Sequence, residues 1–242
     1  MPLLELQAAL ALSVRRGPPA GGAGAWPAGL SAGERDYLER VVDSRGLAFA
    51  REVRHSWCAM RATRAARLTL GLLSAEARRR ALDEWLELGG GASSFFESEA
   101  LAFLAFLDPR LPAPSHVLSV CRFEQALFRA SSAAPSFVPP RPAPRLGAVR
   151  QGAAASLVTF LAAPASVLSA AEVGAAPPPP AAQASHLLFA PGIPSLCFVP
   201  GAADLALWQS CATGARPRDL EASGHEAARV RALLEVGALQ AL

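Results

Sequence analysis

Five prolines fall between Ala133 and Leu146 (AAPSFVPPRPAPRL), more than a helix or a paired strand can absorb. Each proline removes a backbone donor and fixes φ, which excludes this stretch from a helix interior and from a central strand. It is predicted to run extended, as a linker or strap. The texture of the chain differs on its two sides. The sequence therefore predicts a helical bundle over 1–132, a Pro-rich linker over 133–152 and a small α/β module over 153–242.

The first part is helical by periodicity and punctuation. Leu3, Leu6, Leu10 and Val14 form one stripe, followed by a Gly/Pro/Ala-rich loop over Gly17–Gly29. Ser31 and Glu34 have capping-box spacing ahead of Tyr37, Leu38, Val41 and Val42, and Gly46 is placed to end that helix. A long helix is expected over Leu47–Leu70, with Ala50, Val53, Trp57, Met60 and Leu68 on its core side. Ser74 opens a further helix that Gly89–Gly91 terminates, Ser94 and Glu97 repeat the capping box before Phe95–Leu107, Pro109 stops that helix, and Ser115 begins one to about Ala130. Six helices joined by short turns make a bundle.

Beyond the prolines, Ser156–Leu161, His186–Phe189 and Leu196–Val199 read as strands, the last two joined through Pro191-Gly192, with a Pro-rich loop at Pro177–Pro180. Helices follow over Ala202–Cys211, Pro217–Ala222 and Glu226–Val236. The expected fold is α+β: an N-terminal helical bundle followed by a small winged-helix-like module with a three-stranded sheet and helices.

All 23 basic residues are Arg, a bias of GC-rich coding rather than of chemistry. Residues 1–150 carry 19 Arg against 14 acids and residues 151–242 carry 4 Arg against 6 acids, too little positive charge for phosphate-driven nucleic-acid binding. The start lacks a basic signal region and no apolar run reaches the ~20 residues of a membrane span, so a soluble cytoplasmic protein is expected. Cys58, Cys121, Cys197 and Cys211 lie unpaired in apolar runs, as buried thiols do.

Phosphate-loop, dinucleotide, zinc-protease and nucleophile-elbow motifs are all missing, and no catalytic residue is assigned. His55 and Cys58 supply at most half of a metal site, so no metal ligands are expected. Three ionisable residues do fall among apolar ones: Arg64 between Val53, Trp57 and Met60; Glu99 among Phe95, Phe96, Phe103 and Phe106; Glu124 among Val117, Val120, Cys121, Leu127 and Phe128. Buried charges persist only when paired, which predicts a buried ionic network of Arg64, Glu99, Arg122 and Glu124. Nine Arg against two Glu over residues 45–80 give a positive face. Such a face is either solvated or a docking surface for an acidic partner, with Arg54, Arg61, Arg78 and Arg79 as the docking candidates.

The run from Leu187 to Leu239 contains LLFAPG at Leu187–Gly192, Leu196, an apolar helix carrying Trp208, TGAR at Thr213–Arg216 and LLEVGAL at Leu233–Leu239. This pattern resembles the peptide-recognition elements of ribosomal peptide modification pathways, similar to the pyrroloquinoline-quinone pathway chaperone. WLELGGGASSFFE at Trp85–Glu97 and SVCRFEQAL at Ser119–Leu127 resemble the partner subunits of multinuclear non-haem iron-dependent oxidases of methanobactin and 3-thiaglutamate biosynthesis. The resemblance implies a non-catalytic partner, in a heterodimer, that binds a precursor peptide and presents its cysteine-containing end to the oxidase. Iron is then expected in the partner enzyme, with no cofactor in this chain and neither nucleic acid nor membrane as a partner.

An exposed sheet edge accepts an extended peptide through main-chain hydrogen bonds. Leu196, Cys197, Phe198 and Val199 are the expected receiving strand, with Val230, Leu233 and Leu234 as an apolar wall and Arg229 and Arg231 attracting carboxylates. The same residues also serve simply to fold the module. Two alternatives stay open: a DNA-binding regulator with a winged-helix module, and a stand-alone helical enzyme using the buried carboxylates.

Overall fold

The computed structural model describes residues 2–16, 26–91, 96–140 and 147–242. Its architecture is α+β, with helices followed by small antiparallel sheets of three and two strands. The chain forms two compact units, one of residues 1–65 and 73–106 and the other of 66–72 and 107–242.

The first unit is helical: α1 (Pro2–Arg16), α2 (Ala32–Val42), α3 (Arg45–Ala65), α5 (Ala75–Glu87) and most of α6 (Phe96–Leu107). The Ser31 hydroxyl accepts from the Glu34 N–H while the Glu34 carboxylate accepts from the Ser31 N–H at 2.8 Å, the capping box that starts α2. Ala9, Leu30 and Leu38 form a small buried cluster at this end. Trp85 packs on Phe103 and Phe106, with ring centroids 5.5 and 5.3 Å away.

Two expectations shift here. Gly46 does not end α2; the helix stops at Val42, and the Ser44 hydroxyl accepts from the Leu47 N–H at 3.2 Å, so α3 begins at Arg45 with Gly46 in its first turn. Nor does one helix run to Leu70. α3 ends at Ala65, Ala66 leaves helical geometry, and a separate short helix α4 (Arg67–Gly71) follows. Residues 17–25 of the expected loop and Ser94 of the second capping box lie outside the described residues.

The second unit holds α4, α7 (His116–Ala133), α8 (Pro164–Val173), α9 (Ala202–Ser210), α10 (Pro217–Ala222), α11 (Ala227–Glu235) and all five strands. β2 (Ser156–Phe160), β3 (Ser185–Phe189) and β4 (Cys197–Phe198) form the antiparallel sheet in that order, with Val158 opposite Leu187 and Phe189 opposite Cys197. α7 lies across β2, where Phe123 meets Phe160 and Phe189 edge-on. β1 (Val149–Gln151) pairs with β5 (Leu239–Ala241) in the two-stranded sheet.

Because α7 buries its apolar side on β2, it belongs with the sheets. The division between compact units therefore falls elsewhere than at the proline run. That run holds Phe137 against Gly192 and Gly237, where any Cβ would strike the ring. α8, β1 and β5 were not expected. α8 is an Ala/Ser/Val stretch of weak periodicity, opened by Pro164 and closed by left-handed Gly174; it crosses α4 where Gly71 lies on the Ala171 carbonyl. Among the described residues no helix is long and apolar enough to cross a membrane.

Candidate peptide-binding and docking surfaces

Strand β5 presents an unpaired edge beside a groove. The Leu242 N–H donates to the Ala148 carbonyl and the Gly152 N–H to the Ala238 carbonyl, both at 2.8 Å. Antiparallel alternation then turns the N–H and C=O of Leu239 and Ala241 away from β1; Leu239 is buried in the unit's core and Ala241 is exposed. No described residue bonds them. The opposite side of β1 is filled, since Val149 exchanges backbone bonds with Ala215. The groove beside β5 has a volume of about 460 Å3, bounded by Phe137, Val138 and Pro140 on the strap, by Gly152 and Ala153, and by Leu239–Ala241. Among the described residues no ionisable side chain lines it.

The β4 edge is a poorer seat. It has two residues, the Cys197 carbonyl already accepts from the Ser195 hydroxyl at 2.7 Å, and Leu196 adopts a left-handed φ of 63°. Leu196, Cys197 and Phe198 are half-buried, and Val199 is exposed. Val230, Leu233 and Leu234, expected as a peptide-facing wall, are instead buried in the unit's own core with Leu207, Trp208 and Leu220. An apolar stripe on a nine-residue helix serves its own fold first. The Arg229 guanidinium is committed as well, to the Asp204 carboxylate at 2.6 Å. Arg231 is exposed.

The buried ionic network does not form as one cluster. Glu99 and Glu124 are buried, but Arg64 and Arg122 are exposed. Arg122 makes a two-point pair with Asp108 at 3.0 and 3.2 Å. Glu99 pairs with Arg61 at 3.0 Å, and burial still holds its carboxyl above the usual range. Glu124 caps α4: its oxygens accept from the Leu68 N–H at 2.9 Å, the Thr69 N–H at 3.0 Å and the Thr69 hydroxyl at 2.6 Å. Burial again raises its pKa, against the opposing pull of those donors and Arg67. Glu124 thus serves its unit as a cap supplied from a distant helix, whereas the two buried oxygens of Glu99 have the Arg61 ion pair but no hydrogen-bond partner among the described residues.

Of the docking candidates, Arg54 is drawn to the Gly90 carbonyl at 2.5 Å and Arg61 to Glu99, so both serve the first unit internally. Arg78 is half-buried and Arg79 exposed. The neighbouring Arg80 pairs with Glu76 at 2.7 Å. Cys58, Cys121 and Cys211 are buried and Cys197 half-buried; burial pushes the Cys121 thiol up to about 12, so it stays protonated at neutral pH. Among the described residues no group of three or more His, Cys, Asp and Glu stands together as a metal site.

The groove residues were legible only in part. Gly147 and Gly152 bracket Val149–Gln151, and Gly237 precedes Leu239–Ala241, but three-residue strands carry too little alternation to be read. The apolar pair Phe137-Val138 inside a proline run was the available signal. No protein-family model matches the chain, and comparison with curated proteins finds no match.

Proposed function

We propose that this chain is a non-catalytic partner protein that holds a ribosomal precursor peptide and presents its cysteine-containing end to an iron-dependent oxidase. The unpaired β5 edge beside a largely apolar groove carries this reading. An extended peptide adds at the exposed Ala241 through main-chain bonds, and its apolar side chains settle against Phe137 and Val138. The exposed part of the edge is short, so it seats a brief segment, with the remainder of the peptide left for the enzyme. The commitment of Glu124 to three structural hydrogen bonds also supports a binding rather than a catalytic role.

The test begins by searching the genes beside this one for a short peptide and an iron oxidase, and uses their products. Fluorescence anisotropy is expected to show binding of the labelled peptide to the full chain. Ala153→Trp, which fills the groove from an exposed position, is expected to weaken that binding at least ~tenfold, the effect of losing a desolvated contact centre. The oxidase is expected to co-purify with the wild-type chain. Peptide binding unchanged by Ala153→Trp would move the seat elsewhere; no binding and no co-purification would remove the proposal.

A further inference from the structure

α3 displays a row of large apolar side chains that the other described residues leave exposed. Phe49, Val53, Trp57 and Met60 are each between 50% and 67% exposed. At ~100° per residue they fall within an arc of about 80°, with Arg64 among them. The helix instead buries its opposite face, through Leu47, Cys58, Ala62 and Ala65. Clustered large apolar groups on a surface mark interaction sites.

Shape and charge say what fits. A shallow, open hollow of about 670 Å3 runs along the face, lined by Phe49, Val53, Trp57 and Met60 among others. A second of about 460 Å3 continues from Trp57 and Met60 to Arg64 and Phe96. α3 carries five Arg against the single acid Glu52. Arg45, one turn before Phe49, and Arg64, one turn after Met60, are both exposed. Among the described residues neither has an acidic partner. A second copy of the chain would set like charges against each other at both ends.

We propose that this face docks an acidic amphipathic helix of a partner protein, its apolar stripe on Phe49, Val53, Trp57 and Met60 and its carboxylates on Arg45 and Arg64. Phe49 and Met60 are roughly 16 Å apart along the axis, three turns of helix. This is the helix-in-groove mode, with steering by the terminal charges. The inference does not depend on the peptide reading, which concerns residues of the other unit.

The experiment titrates the full chain with two synthetic amphipathic helical peptides of about 18 residues, five turns, identical except that Glu flanks the apolar stripe in one and Lys in the other. The Glu peptide is expected to bind at least ~tenfold more tightly, and high salt is expected to narrow the gap. Val53→Glu with Met60→Glu, both at exposed positions, is expected to keep the helical circular dichroism and weaken binding by ~tenfold or more. Arg64→Glu is expected to shift the preference toward the Lys peptide, and Ala153→Trp to change nothing. Equal affinity for the two peptides, or binding indifferent to Val53→Glu/Met60→Glu, would overturn the proposal. So would a dimer, or adsorption to anionic phosphatidylglycerol vesicles, that is lost in that double variant.

Discussion

Glu124→Ala is expected to destabilise the second unit by about 3 kcal/mol, because it strands the half-buried Leu68 N–H and the buried Thr69 N–H and hydroxyl at the start of α4. Each unsatisfied buried donor costs about 1–3 kcal/mol, partly offset by no longer burying a carboxylate. Glu124→Gln keeps the shape and one acceptor, so roughly half of that loss is expected. The pH dependence has a definite sign. Burial, acting against the Thr69 and Leu68 donors and Arg67, raises the folded-state pKa above the ordinary 4.5. The folded chain therefore holds this proton at a pH where the unfolded chain has released it. The stabilisation from protonation is fully present below the unfolded pKa and is lost as pH rises through the folded one. Urea melts of wild type and Glu124→Gln at several pH values check this: the stability difference between them should widen as pH falls from neutral toward 4.5.

Arg61→Leu is expected to cost the first unit about 3 kcal/mol, since breaking a buried pair leaves an uncompensated charge. Glu99 is 2% exposed and its partner only 16%. The Glu99 carboxyl is already raised by burial with Arg61 present, so losing the guanidinium removes its main compensation. Replacing both groups by leucine is expected to recover most of the loss, because an apolar pair of similar volume needs no partner. Thermal melts of the single and double variants decide this. A single variant as stable as wild type would mean that Arg54, the other cation acting on Glu99, compensates it alone.

Local punctuation was the most readable part of the sequence. Ser31, Ser74 and Ser115 each accept from a backbone N–H at the start of their helices, and the three strands of the larger sheet sit where β-rich runs were read. Those signals lie within a few residues of the structures they specify. α3 shows where periodicity stops deciding. Val53, Trp57, Met60 and Arg64 share one face as read, but that face is outward, and the small residues Cys58, Ala62 and Ala65 pack inward. Two stripes compete on that helix, and close packing against α1, α2 and α5 selects the smaller side chains. An ionisable residue among apolar neighbours was therefore no proof of burial: Arg64 is exposed with its whole face, whereas Glu124 is buried to cap a helix more than fifty residues upstream. No local pattern announces that bond, and none announces that Leu239–Ala241 pairs with Val149–Gln151.

Backbone amide hydrogen exchange at Ala241, followed with and without the precursor peptide, tests the peptide-holding role most directly. In the unliganded chain this exposed, unpaired amide should exchange readily, and saturating peptide should slow it by ~tenfold or more as it enters a new ladder. Peptide that binds while leaving the Ala241 amide unaltered, or an amide fully protected before any peptide is added, would contradict the account.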